Sequence, residues 1–275
     1  MYPAIFARTY PLGPVEQLLS AIGQDGYEGM QFNLSCLGLA SLPDRIPVDA
    51  LKAFAEAARE KGLAIAGLSG TYNMAHPDAA VRHAARVRFA NVVAAAPLLG
   101  APIVTLCTGS RNAEDMWAAH PDNASPSAWA DMRAELDAAL ELADMHDIRL
   151  GIEPEPGNVV ADAGLARRIL DEVGNPRLGI ILDAANLVGD RLSDQARVME
   201  EAVDLLGEHI ILAHAKDVDH AGKVVAAGAG AVDLHRFLRL LRSRGYDQAV
   251  VAHGFEHKDA AASGAALRTL LEDVS

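Results

Sequence analysis

The sequence has few cysteines, few basic residues and no long apolar run, and each shortage excludes a class of protein. Only Cys36 and Cys107 occur in 275 residues, which argues against a disulfide framework and fits a reducing compartment. The 37 acidic residues outnumber the 24 basic ones, and the formal net charge of −13 argues against general affinity for nucleic acid or anionic membranes. No run approaches the roughly 18 apolar residues of a membrane span. We expect a soluble cytoplasmic protein.

Interdomain linkers and nucleotide-binding glycine motifs are also missing. No Ser/Gly-rich segment or shift of composition divides the chain, so we expect a single domain over residues 1–275. With 51% hydrophobic and 22% charged residues, the chain can bury a large core. No G-x-G-x-x-G follows the first apolar run, which disfavours a doubly wound open sheet as the rival fold.

What the sequence does contain is a regular alternation of short apolar runs with longer segments of helical period. The eight runs are AIFAR, GMQFN, LAIAGLS, PIVTLC, IRLGIE, LGIILD, HIILAHA and QAVVAH. Between them, Ser125 and Pro126 are suited to begin a helix, and Gly245 is suited to end another. Buried strands that alternate with helices indicate a parallel sheet, and eight such units in this length predict a single (β/α)₈ TIM barrel.

Four consecutive predicted strands, the fifth to the eighth, end on a polar side chain. These residues are Glu153, Asp183, His214 and His253, which lie 30, 31 and 39 residues apart. Such barrels carry their functional residues at the carboxyl ends of the strands. Alternation along the seventh strand places His214 on the same side as Leu212 and Ile210, and equivalent parity applies to the others. We therefore expect all four side chains to point toward the barrel axis.

A divalent metal ion is the simplest explanation for two carboxylates and two imidazoles that converge on one point. Without a cation between them, burying these groups together would cost free energy. Mixed oxygen and nitrogen ligands suit Mn²⁺, Co²⁺, Mg²⁺ or Zn²⁺, and the sequence does not distinguish among these ions.

Five segments resemble the sugar phosphate isomerase/epimerase group of the xylose isomerase-like TIM barrels. They are IEPEPGN at 152–158, LDAAN at 182–186, AHAKD at 213–217, GAGAVD at 228–233 and GYDQAVVAH at 245–253. Their order and spacing extend the resemblance over nearly the whole chain. The resemblance implies one catalytic divalent metal ion, held by Glu153, Asp183, His214 and the residue at position 253.

The chain departs from the family pattern at two of these positions. His253 stands where many members end the eighth strand in a glutamate, and Asn186 stands where a histidine is frequent. Three interpretations of the first departure stay open. His253 is both metal ligand and second acid/base, or Glu256 reaches into the site, or the reaction needs only one base. Strand parity favours His253 over Glu256 as the fourth ligand.

The family chemistry that the resemblance implies is proton abstraction next to a carbonyl through a metal-stabilised enediolate. Glu153 would be both a ligand and the base. We expect an isomerase or epimerase of a sugar or sugar phosphate, with a metal-dependent lyase of the keto-inositol dehydratase type as the alternative. A non-catalytic sugar-binding barrel and an endonuclease IV-like DNA repair enzyme are weaker alternatives. The latter would need further histidines for a trinuclear zinc site, at positions where this chain has Leu106 or Cys107 and Asn186.

Further polar residues at the same ends of the strands are candidates for binding the substrate. These candidates are Glu155, Asn158, Asn186, Lys216, Asp217, Arg111, Trp117 and Glu256. Each also has a plain structural interpretation. Asparagine is ordinary in turns, Lys216 and Asp217 could form a salt-bridged loop, and Arg111 could be a surface arginine. The loop that holds Trp117 could wall a sugar pocket or pack against another subunit of a homo-oligomer.

Overall fold

Each of the eight apolar runs forms a strand, and the strands close into a parallel barrel. The computed structural model describes residues 1–274. The barrel strands are β1 (Tyr2–Phe6), β2 (Gly29–Phe32), β3 (Ala64–Ser69), β4 (Ile103–Cys107), β5 (Arg149–Glu153), β6 (Leu178–Asp183), β7 (Ile210–Ala215) and β10 (Ala249–Ala252). A short antiparallel pair, β8 (Asp217–Val218) and β9 (Val224–Val225), follows β7. The predicted (β/α)₈ TIM barrel is confirmed.

Helices connect the strands and form the outer layer. They are α1 (Val15–Gln24), α2 (Val48–Glu60), α3 (Ala79–Leu99), α4 (Pro126–His146), α5 (Ala163–Val173), α6 (Ala184–Val188), α7 (Gln195–Leu206), α8 (Leu234–Ser243) and α9 (Ala260–Asp273). Short 3-10 helices occupy Ala7–Thr9, Leu34–Leu37, Pro121–Ala124, Leu192–Asp194, Gly207–His209 and His257–Asp259. Ser125 caps α4, because its hydroxyl accepts a hydrogen bond from the Ala128 amide at 3.1 Å. Gly245 follows α8 with a φ of +78°.

The buried side chains form two layers, one on each face of the strands. The larger layer lies between strands and helices and contains the bulkiest core residues, among them Phe32, Phe54, Phe89 and Phe237. The smaller layer fills the barrel interior with Ala4, Ala66, Ile103, Ile181, Ile211, Leu212, Ala249 and Val251. No helix within residues 1–274 is both long and apolar enough to cross a membrane.

The seventh strand contains an irregularity that corrects the simple alternation expected from its sequence. The pairing of β6 with β7 shifts, so that Ile180 lies opposite Ile210 while Ile181 lies opposite Leu212. As a result Ile211 and Leu212 both pack inside the barrel, and Ile210 belongs to the outer layer. The expectation that Ile210 faces the axis was wrong. His214 still shares the inward side with Leu212.

Candidate metal centre and active site

The carboxyl ends of β5, β6, β7 and β10 bring four functional side chains together at one end of the barrel. Glu153 and Asp183 are the last residues of their strands, His214 lies one residue before the end of β7, and His253 follows β10. One ligand atom from each of the four lies within 4.8 Å of the others. Ligands around one ion at about 2.1 Å are at most about 4.2 Å apart, so the cluster fits a metal ion after a small adjustment.

The four side chains contact each other directly. The Nε2 atom of His253 lies 2.8 Å from Oδ2 of Asp183, and Nδ1 of His214 lies 3.2 Å from Oε1 of Glu153. The same His214 nitrogen lies 4.0 Å from Oδ2 of Asp183. Two oxygen and two nitrogen donors therefore surround one point, which suits a divalent ion of the first transition series or Mg²⁺.

Burial and mutual charge set the protonation of this cluster. Burial alone would raise the pKa of Glu153, but the adjacent His214 imidazole holds that pKa below its ordinary value. Burial alone would also raise the pKa of Asp183, and Lys216 with the two imidazoles keeps it well below the usual range. Burial lowers the pKa of His253, with His214 adding to the effect. Burial alone would lower the pKa of His214, but the Glu153 carboxylate raises that pKa above its ordinary value. Both carboxylates are therefore ionised at neutral pH.

Asn186 and Lys216 connect the two carboxylates. The Asn186 side-chain amide donates to Oε1 of Glu153 at 3.0 Å and accepts a hydrogen bond from Nζ of Lys216. Its backbone amide donates to Oδ1 of Asp183 at 2.9 Å, which caps α6. The Lys216 ammonium lies 3.8 Å from Oδ2 of Asp183. Asn186 thus holds both carboxylates in place, and Lys216 balances part of their charge.

A cavity of about 490 Å³ opens in front of the cluster. Besides Glu153, His214 and His253, its lining includes Phe6, Arg8, Gln31, Asn33, Ser41, Ser69, Thr71, Thr105, Met116, Trp117, Glu155 and Lys216. A wall rich in hydroxyl and amide groups beside an aromatic ring is suited to a small polyhydroxylated molecule.

Burial and, to a lesser extent, the nearby charge of Glu153 raise the pKa of Glu155 in this wall to about 7. A second groove of about 560 Å³, lined by residues of α5, α6 and α7, contains none of the four clustered residues.

Cys107, Glu153 and Glu155 form a second group of closely spaced ligand atoms. This group offers only three ligand atoms and shares Glu153 with the four-residue cluster, and burial together with the charge of Glu153 raises the pKa of the Cys107 thiol in the metal-free protein. The four-residue cluster is therefore the better metal centre.

Besides Asn186, which contacts Glu153, Asp183 and Lys216, four of the residues that the sequence offered as substrate contacts lie outside the cavity lining, and each has a structural partner instead. Arg111 forms a 2.7 Å ion pair with Asp131 of α4, and its side chain is 9% exposed. Asn158 accepts from the Gly109 amide at 2.8 Å and donates to the Met116 carbonyl at 2.9 Å. These two contacts fix the long loop after β4.

The other two serve the segments after β7 and β10. Asp217 is fully buried, and its carboxylate accepts backbone hydrogen bonds from Gly228, Gly230 and Val232, which folds the glycine-rich segment over it. Glu256 has a 76% exposed side chain and pairs with Lys258 at 2.7 Å. Glu256 therefore faces solvent and does not line the cavity.

Gln31 belongs to the site but was absent from the sequence-based candidates. It lies in β2, is 6% exposed, and its Oε1 atom is 2.8 Å from Nε2 of His214. The available signal was a glutamine in the middle of the apolar run GMQFN. A buried amide of this kind needs a polar partner across the barrel.

Residues 18–272 match the family described as xylose isomerase-like TIM barrel. The chain belongs to this family. The predicted membership of the xylose isomerase-like TIM barrels is thereby confirmed. No curated protein matches the chain.

Several solved structures are similar to this one over nearly the whole length of the chain. D-psicose 3-epimerase in the presence of D-fructose is 17% identical, with 98% of this chain and 99% of that chain covered and a TM-score of 0.76. The IOLI protein with a binding zinc atom is 17% identical, with 100% and 98% covered and a TM-score of 0.75. The probable 3-DHS dehydratase AsbF from Bacillus anthracis is 14% identical, with 98% of each chain covered and a TM-score of 0.78. At these identities the likeness shows the fold.

Proposed function

We propose that the protein is a divalent-metal-dependent isomerase or epimerase of a sugar or sugar phosphate. The observation that carries this proposal is the cluster of Glu153, Asp183, His214 and His253 at the wall of a polar cavity. The cavity's hydroxyl, amide and aromatic groups suit a sugar, and one protein of the same fold is an epimerase crystallised with D-fructose. The metal would be Mn²⁺, Co²⁺, Mg²⁺ or Zn²⁺, and zinc is bound in another structural neighbour. Once bound, it would polarise the oxygen atoms of the substrate.

Glu153 is the group that removes the proton next to the substrate carbonyl. Its Oε1 atom accepts a hydrogen bond from Asn186 and lies 3.2 Å from Nδ1 of His214, whereas its Oε2 atom has no hydrogen-bond partner among residues 1–274. Since the lowered pKa keeps Glu153 ionised, Oε2 can accept a proton from a molecule in the cavity. Asn186 holds the base in position through Oε1.

Other side chains would bind and orient the substrate. Trp117, Glu155 and Lys216 line the cavity, and the Lys216 ammonium lies 3.8 Å from Asp183 and donates to Asn186. We assign His253 to the metal ligand set, because its Nε2 atom lies in the cluster and Glu256 is remote from it.

Deuterium exchange tests this function directly. A panel of ketoses, aldoses, their phosphates and an inosose would be incubated in heavy water with protein and each metal, and followed by NMR. We expect deuterium to enter a carbon next to the carbonyl of at least one compound. Binding of a sugar without exchange would indicate the non-catalytic barrel instead.

Dehydration of a keto-inositol or a related acid is the second candidate function. It requires only one base, which is consistent with a histidine in place of the family's last glutamate, and a probable dehydratase shares the fold. In the same experiment this reaction would yield a new olefinic signal and loss of water, whereas an isomerase would leave the elemental composition unchanged.

A further inference from the structure

Gln31 joins the metal centre to the opposite wall of the barrel. Its carbonyl oxygen Oε1 lies 2.8 Å from Nε2 of His214. Its amide nitrogen donates to Oγ of Ser69 at 3.1 Å and to Oγ1 of Thr105 at 3.3 Å. All four side chains are buried. One glutamine on β2 therefore connects β3, β4 and β7 through a continuous line of hydrogen bonds.

We propose that Gln31 is a positioning residue that fixes the ring of His214 with a proton on Nε2 and the lone pair of Nδ1 free for the metal ion. This inference rests on the metal site of the proposed function. A neutral imidazole carries one donor and one acceptor nitrogen, and a carbonyl oxygen only accepts. Because Oε1 faces Nε2, that nitrogen donates, and in the neutral ring Nδ1 then carries the lone pair that would bind an ion held between it and the carboxylates of Glu153 and Asp183.

The surroundings of Gln31 accommodate its amide in this orientation. The pairing of β2 with β3 shifts by one residue between Met30 and Gln31. As a result Gln31 lies opposite Gly67, which has no side chain. Ser69 and Thr105 accept both amide protons, and neither hydroxyl has an acceptor for its own proton among residues 1–274. Both hydroxyl groups line the cavity, so their protons are free to reach a substrate oxygen.

Losing the partner of a ligating histidine typically lowers metal affinity about 10- to 100-fold. We would therefore measure Co²⁺ binding by calorimetry for the full chain and for Gln31→Met and Gln31→Glu. Methionine fills similar space without a strong acceptor, so we expect it to weaken binding by about 10- to 100-fold. Glutamate still accepts the Nε2 proton, so we expect it to bind Co²⁺ at least as tightly as the unchanged protein.

A control variant separates this effect from a general change of the cavity. Ser41 also lines the cavity but hydrogen-bonds to Asn33 and not to the His214 network, so Ser41→Ala should keep the Co²⁺ affinity. The positioning role is overturned if a folded Gln31→Met variant binds Co²⁺ as the unchanged protein does. It is equally overturned if Gln31→Glu loses affinity to the same extent as Gln31→Met.

Nitrogen NMR of the zinc-loaded protein reports which nitrogen of His214 binds the metal and which carries the proton. A purely structural role of Gln31 would not determine this choice. We expect Nδ1 of His214 to show the shift of a metal-bound nitrogen and Nε2 to be protonated. Zinc on Nε2 would overturn the inference while leaving the metal site intact. Failure of the unchanged protein to bind either Co²⁺ or Zn²⁺ would instead overturn the metal part of the proposed function, and this inference with it.

Discussion

The two oxygen atoms of Glu153 have different roles, and replacing one of them tests the base. Oε1 accepts a hydrogen bond from Asn186 and lies 3.2 Å from Nδ1 of His214, while Oε2 has no hydrogen-bond partner among residues 1–274. Glu153→Gln keeps the size of the side chain but removes the ionised carboxylate. We expect the variant to fold and the exchange of the substrate proton to fall at least ~100-fold, the usual cost of losing a general base. The NMR exchange assay measures this loss.

A matched substitution at the other end of the barrel provides the control. Glu208 is exposed and precedes β7 on the amino-terminal side, so Glu208→Gln makes the same chemical change far from the cavity. It should leave the exchange rate unchanged. Near-normal exchange in Glu153→Gln would refute the assignment of Glu153 as the base.

Protons should compete with the metal ion chiefly at His214. The pKa values of Glu153 and Asp183 are lowered, so both carboxylates remain ionised above about pH 5. The pKa of His253 is also lowered, so its ring is neutral at pH ~6.5 and above. The pKa of His214 is raised above 6.5, and a protonated imidazole cannot bind a metal. As the pH is lowered, the Co²⁺ affinity should therefore begin to fall while the pH is still above ~6.5. Calorimetry over a pH series would show this, and a flat profile would contradict it.

Single residues were predictable from the sequence where strand parity decides their direction. Parity in AVVAH is consistent with the position of His253, since Val251 and Ala249 pack inside the barrel. The same reasoning cannot find partners supplied by distant elements. Arg111 is paired by Asp131 of α4, and Gln31 acquires its role only because His214 lies across the barrel. Such contacts depend on the closed fold and leave no local pattern.

At the scale of the elements, the barrel interior depends on glycine where neighbouring strands carry large side chains. A methyl group added at Gly179 of β6 would lie 2.5 Å from Cγ2 of Ile211, which packs inside the barrel. We expect Gly179→Ala to lower the free energy of unfolding by about 1–3 kcal/mol through overpacking. Denaturant unfolding of the purified protein measures this change.

Gly23 is the control for that substitution. It is an exposed position within α1, and an added methyl group would meet nothing within 4 Å. Alanine is the better helix former there, so Gly23→Ala should be neutral or raise stability by up to about 1 kcal/mol. Equal destabilisation by both variants would show that packing around Ile211 is not the cause.

The irregularity of β7 shows the limit of periodicity for predicting an element. Its run IILA is apolar at every position, so the sequence fits either alternation equally well. Only the pairing with β6 reveals that Ile211 and Leu212 both face inward. The helix boundaries were easier to predict, because Ser125 and Gly245 act locally.

The fold of the whole molecule could be predicted because one repeating sequence pattern determines it. Eight apolar runs at intervals of one strand and one helix leave few alternatives to a closed parallel barrel, and closure places the ends of β5, β6, β7 and β10 around one axis. The substrate is not encoded in that pattern, because the cavity walls come from loops and strand ends of the entire barrel.

The most direct test of the account is a crystal structure of the protein loaded with Mn²⁺ or Zn²⁺, with the ion located by anomalous scattering. We predict about one ion per chain, bound by Glu153, Asp183, His214 and His253, with the His253 nitrogen about 2.0–2.3 Å from the ion. Metal analysis should agree, with His253→Ala losing the ion and Glu256→Gln retaining it. An ion bound by Glu256 with His253 turned away, or full metal content in Asp183→Ala or His214→Ala, would contradict the proposed site.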